Sequence, residues 1–88
     1  MSLTKSSLKQ LIERAHTLKP VIIIGQKGFT PEVQEEMDSA LTHHELIKIR
    51  IGAPDKTARQ AITQAICDNL HCTLIHTIGH VIVVYRAK

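Results

Sequence analysis

Residues Val21 to Glu32 do most to limit the folds open to this chain. Val21-Ile22-Ile23-Ile24 is apolar and β-branched, Gly25-Gln26-Lys27-Gly28 turns the backbone, and Thr30-Pro31 opens a helix. A threonine hydroxyl at a helix cap accepts an orphan backbone N–H, and a proline at the first helical position has no N–H to lose. Strand, glycine turn and capped helix form a βα unit. Such a unit buries the strand against one helical face and needs a second, parallel strand to receive the crossover. The order also aims backbone N–H groups and a helix N-terminus at one point, which attracts an anion. Glycine permits close approach there because it carries no Cβ, and Lys27 adds a mobile positive charge.

The remaining elements extend the pattern. Leu8, Leu11, Ile12 and Ala15 recur at helical spacing over residues 5–17, with Thr4 or Ser7 as cap and Lys5, Lys9 and Arg14 off the stripe. A second helix is expected over 31–43, with Val33, Met37, Ala40 and Leu41 inward and His43 and His44 in its last turn. A strand over 46–51 alternates, with Ile47, Ile49 and Ile51 on one face and Lys48 and Arg50 on the other, wet face. Asp55 caps a third helix over 56–70 whose inner stripe is read as Ala58, Ala61, Ile62, Ala65 and Ile66. Strands over 72–78 and 81–86 are joined by a tight turn at Gly79-His80.

The expected architecture is therefore α-β-α-β-α-β-β, an α/β fold in one domain spanning residues 1–88. Helical crossovers bring the loops after the first two strands to the same edge of the sheet. A parallel third strand brings the Gly79-His80 turn there too. Lys27, Lys56, Arg59 and His80 are expected to converge on that edge.

Charge narrows the function. The net charge is +3, but residues 32–45 carry five acids and no Lys or Arg, which leaves 11 bases and three acids elsewhere, a balance of +8. Such a chain attracts a polyanion with one side and repels it with the other. Phe29 and Tyr85 are the only aromatic residues, too few for a stacking platform. No apolar run reaches membrane-span length, and the N-terminus lacks a signal-peptide core. Two cysteines make no secreted disulfide framework, so a reducing cytoplasm is expected.

Other chemistries fit less well. Cys67, Cys72, His76 and His80 have the spacing C-x4-C-x3-H-x3-H. A strand, however, spreads residues four apart by ~13 Å, and Cys67 reads as a small core residue. No metal or cofactor is expected. His43-His44-Glu45 is explained by a helix end, and no nucleophile has a recognisable base. The chain is read as a non-enzyme, with a weak RNA-processing enzyme as one alternative. The other is a protein–protein adaptor docking through the acidic helix 31–45.

Three segments in order carry a resemblance. Leu18-Lys19-Pro20 through Gly28, then His43-His44-Glu45-Leu46-Ile47-Lys48-Ile49, then Ile78-Gly79 and Val84-Tyr85-Arg86 resemble the CRM domain, and more narrowly its small stand-alone bacterial YhbY-like members. The resemblance covers residues 5–86. It implies an RNA-binding module similar in fold to the C-terminal domain of bacterial translation initiation factor three, with an added N-terminal helix. The implied sheet is mixed, four-stranded and of order 1-2-4-3. It also implies association with ribosomal RNA in precursors of the large ribosomal subunit. Its GxxG loop falls on Gly25, Gln26, Lys27 and Gly28. Family members often place Lys where this chain has Gln26 and His80, so both departures remove positive charge. The RNA-contacting set is expected to be Gly25, Gln26, Lys27, Gly28, Lys48, Arg50, Lys56, Arg59 and His80, acting in a monomer without a membrane. The implied order makes Val21–Ile24 an edge strand although both its faces are apolar, so the extra helix is expected to cover its second face.

Overall fold

The computed structural model describes residues 4–25 and 27–87. Seven elements follow in the expected order: α1 (Lys5–His16), β1 (Ile22–Ile24), α2 (Pro31–His44), β2 (Leu46–Ile51), α3 (Lys56–Leu70), β3 (Thr73–Ile78) and β4 (Val81–Tyr85). The three caps are hydroxyls or a carboxylate. Thr4 Oγ1 accepts the Ser7 N–H at 3.1 Å, Thr30 Oγ1 that of Val33 at 3.2 Å, and Asp55 Oδ2 that of Ala58 at 3.1 Å. Ser7 thus helps the first cap, its own hydroxyl accepting from Thr4, and Thr4 is the capping residue.

The sheet is mixed, in the order β1-β2-β4-β3. β1 runs parallel to β2, and β4 lies antiparallel between β2 and β3. The parallel βα connections place α2 and α3 on one face. There Met37 and Leu41 of α2 and Ile66 and Leu70 of α3 meet Ile24, Ile49, Ile51, Ile82 and Val84. Most of these side chains are completely buried, and each stabilises the fold by roughly 1.5–3 kcal/mol in transfer free energy. On the other face Leu11 and Ala15 of α1 pack on Leu46, Val83 and Ile75. A bulge between Leu74 and His76 in β3 lets Ile75 join that second cluster.

Two expectations are corrected. Ala61 is exposed; the inner face of α3 is set by the bulkier Ile62, Ile66 and Leu70, with Cys67 beside them. The exposed second face of β1 is also not covered by α1. That helix is 12 residues long and is spent on β2, β4 and β3, so Val21 stays 52% and Ile23 67% exposed.

Candidate nucleic-acid interface

Three connections meet at the edge where β1, β2 and β3 end. The Gly52 N–H donates to the Ile24 carbonyl at 2.8 Å, joining the loop after β2 to the end of β1. The Ile51 N–H donates to the His80 carbonyl at 2.7 Å, and His80 Nδ1 lies 3.1 Å from the Ile51 carbonyl, joining the hairpin to β2. The second contact is a hydrogen bond when Nδ1 carries the proton, which leaves Nε2 for another partner. Gly52 is required by space: a Cβ there would sit 3.0 Å from the Ile24 oxygen and 4.0 Å from the Gly25 Cα. Nothing local to Gly52 signals that role, which exists only once β1 lies beside β2.

The GxxG loop closes with the Gly28 N–H donating to the Gly25 carbonyl at 3.1 Å. Gly28 has φ +75°, in the left-handed region, and a Cβ there would meet no atom within 4 Å. A side chain at Gly28 therefore meets backbone strain and no steric clash inside the protein. Gln26 lies outside the described residues. Lys27 is exposed on the loop.

The α2 terminus is a weaker anion site than strand-glycine-helix order alone implies. Thr30 takes the Val33 N–H with its side chain and the Gln34 N–H with its carbonyl. Pro31 has no N–H, and Glu32 puts a carboxylate in the first turn. Few orphan donors remain to aim at a ligand. The positive character of this loop therefore rests mainly on Lys27 and its basic neighbours.

Lys56, Arg59 and His80 are brought together along a groove of about 680 Å³ between α3 and the β3–β4 hairpin; Lys27 stands outside its lining. Arg59 also has a structural task. Its Nη1 donates to the Ala53 carbonyl at 2.9 Å and the Pro54 carbonyl at 2.8 Å, bracing the loop that precedes its own helix. Lys48 and Arg50 are not part of this group, because they lie on the α1 face of the sheet. Arg50 is exposed beside Ile23, while half-buried Lys48 sends its ammonium to the Leu18 carbonyl at 3.1 Å. Lys5, Lys9 and Arg14 are exposed on α1.

The opposite end of the sheet is organised by Arg86, a residue that composition and spacing did not single out. Its Nη1 donates to Asp38 Oδ1 at 2.8 Å and to the Leu70 carbonyl at 3.0 Å; its Nη2 donates to the Asp38 carbonyl and Thr42 Oγ1, both at 3.0 Å. Asp38, expected as one member of a repelling acidic face, is thus an ion-pair partner. Glu35 and Glu36 lie on the outer side of α2 beside His43 and His44.

Burial pushes both thiols up, Cys72 to about 12. They are protonated side chains of the core and its margin. Among the described residues no three His, Cys, Asp or Glu side chains gather as a metal site. No helix among them is long and apolar enough to cross a membrane.

Known proteins resemble this chain in sequence and in fold. The family model of the CRS1/YhbY (CRM) domain matches residues 3–86. The chain is 38% identical over 87 residues to an RNA-binding protein of Haemophilus influenzae, covering 98% of this chain and 88% of that one. It is 36% identical over 86 residues to a "Probable RNA-binding protein" of Pseudomonas aeruginosa, covering 98% and 83%. Its fold matches the solution structure of a hypothetical protein from Staphylococcus aureus with a TM-score of 0.84 at 25% identity, over 99% of this chain and 91% of that one.

Proposed function

Since the chain belongs to the CRS1/YhbY (CRM) domain family, we propose that it binds RNA through the edge formed by the GxxG loop, the loop 52–55 and the Gly79-His80 turn. The observation that carries this reading is the bonding of those three connections into one rim, with Lys56, Arg59 and His80 along one groove beside it. Phosphates approach over Gly25 and Gly28, where no side chain obstructs them. Lys27, Lys56 and the remaining donors of Arg59 supply charge, Arg59 Nη1 holds the rim in shape, and His80 offers Nε2. Lys48 and Arg50 form a separate contact surface on the far face of the sheet. Gln26 completes the loop that the CRM pattern marks.

The RNA is ribosomal, in precursors of the large subunit; this finer reading is supported by the resemblance to YhbY-like proteins. Binding does no chemistry on the RNA, and the protein acts as a monomer in the cytoplasm. The test is titration of a single-stranded RNA 12-mer across a salt series. The logarithm of affinity is expected to fall linearly and steeply with the logarithm of salt, at about 0.7 per phosphate contact. A flat dependence, or no binding at low salt, defeats the proposal. Crosslinking in cells followed by sequencing of the attached RNA tests the ribosomal assignment.

A further inference from the structure

Phosphate contact does not require a groove as deep as the one between α3 and the hairpin. Its volume of about 680 Å³ is within the range of sites that enclose small organic ligands. Its lining is zoned. Ile51 and Ile82 lie buried beneath its floor, and Leu74, 41% exposed, gives it an apolar wall. Gln60, Gln64 and Thr77 add amides and a hydroxyl around that floor. Among the described residues that line it, Lys56 and Arg59 carry positive charge, His80 adds an imidazole, and there is no carboxylate.

The polar groups are partly committed, which fixes what they offer. Gln64 Nε2 donates to Asp68 Oδ1 at 2.9 Å, so its carbonyl oxygen is left as an acceptor. Gln60 and Thr77 are exposed and bring both donors and acceptors. A ligand for this site is flat and apolar on its faces, polar at its edge, and joined to a negative charge at the rim. A nucleobase on a phosphate chain has that form. Bases in a duplex do not, because their edges are paired and their faces stacked.

The geometry points to the groove as a seat for one unpaired RNA base. Its face rests on Leu74, its edge meets Gln60 and Thr77, and its phosphate lies toward Lys56 and His80. The inference rests on the RNA-binding reading above and adds to it a dependence on bases that backbone contact lacks. The neutral amide and hydroxyl groups beside its cations, suited to a base edge, favour RNA over an acidic peptide here.

The experiment compares single-stranded 12-mers of rA, rU and rC with a 12-mer of equal charge in which tetrahydrofuran spacers replace every base. The best homopolymer is expected to bind the wild-type chain at least tenfold more tightly than the spacer strand. Gln60→Ala with Thr77→Ala, both exposed positions, is expected to erase that difference while leaving spacer affinity unchanged, which also reports an intact fold. Gly28→Asp is expected to weaken both kinds of strand alike. Equal wild-type binding of all strands overturns the base seat and leaves phosphate binding standing. A base preference that survives in the double variant overturns the groove as its location. Failure to bind any strand overturns both readings.

Discussion

One end of the sheet is locked by side chains and the other is tied by backbone. At the locked end Arg86 reaches α2 and α3 at once, and its own N–H donates to the Glu45 carbonyl at 2.8 Å. At the open end the N–H joins, Gly52 to Ile24 and Ile51 to His80, are made by main-chain atoms, with His80 Nδ1 beside the Ile51 carbonyl as a side-chain addition. The difference separates two uses of positive charge. A guanidinium that spends its donors inside the protein stabilises the fold and has little left for a ligand. An edge held by main chain leaves its lysines uncommitted. Arg59 stands between these cases, because both of its hydrogen bonds come from Nη1.

Substitutions at the two ends should therefore fail differently. Lys27→Ala with Lys56→Ala and Arg59→Ala strikes the open end hardest. RNA affinity is expected to fall about a hundredfold, and the salt slope by about 2, close to three lost contacts at 0.7 each. Loss of affinity without a change in slope breaks the assignment of these residues to phosphate. Arg86→Ala strikes the locked end. It removes charge-assisted hydrogen bonds from a partly exposed group, so chemical denaturation should show a loss of about 2 kcal/mol. RNA affinity at low temperature should be unchanged. A folded Arg86→Ala protein that no longer binds RNA would show that the two ends are coupled.

A subtler pair sharpens the comparison at the loop. Gly28→Asp and Gly28→Asn place side chains of the same shape at φ +75°, a conformation that both residues tolerate better than most. The aspartate is expected to weaken binding about tenfold and the asparagine about twofold, with both proteins folded by circular dichroism. Equal affinities for the two variants would mean that shape, and not charge, governs approach to the loop. The smallest effect is expected from Glu35→Gln with Glu36→Gln on the outer side of α2. Affinity should rise about twofold through long-range charge alone, and the gain should vanish above the salt concentration that screens it. A loss of RNA binding in that variant would make the acidic helix part of the functional surface.

Sequence reading reached the elements because their signals are local. Thr30-Pro31, Asp55, Gly79-His80 and the alternation of Leu46–Ile51 are each resolved within a few residues. The GxxG turn is legible in the residues as well, whereas the strand order and the RNA role of that loop rest on resemblance. What stayed hidden depends on distant partners. Arg86 and Asp38 are 48 residues apart in sequence, and Gly52 acquires its constraint from Ile24 across the sheet. Ala61 lies outside the inner face because a stripe of alanines fits more than one face of α3, and only tertiary packing selects the face of Ile62, Ile66 and Leu70. The near-silent helix terminus of α2 has the same lesson on a smaller scale. Thr30 and Pro31 mark a helix start, and the helix begins there, yet together with Glu32 they use up or neutralise the donors that make such a start attractive to anions.

The position of β4 has a kinetic consequence. This strand follows the other three in the chain, yet it lies between β2 and β3. A nascent or truncated chain without residues 81–85 presents β2 and β3 with facing rows of unpaired N–H and C=O groups and no strand to fill the gap. The β1–β2 pair and the helices can form early, but the rim needs the His80 carbonyl and is completed late. Closure across a gap of this kind brings together residues far apart in sequence, which slows folding relative to chains whose neighbours in sequence are neighbours in the sheet. The groove and the rim both draw on the β3–β4 hairpin, so neither is complete until β4 lies between β2 and β3.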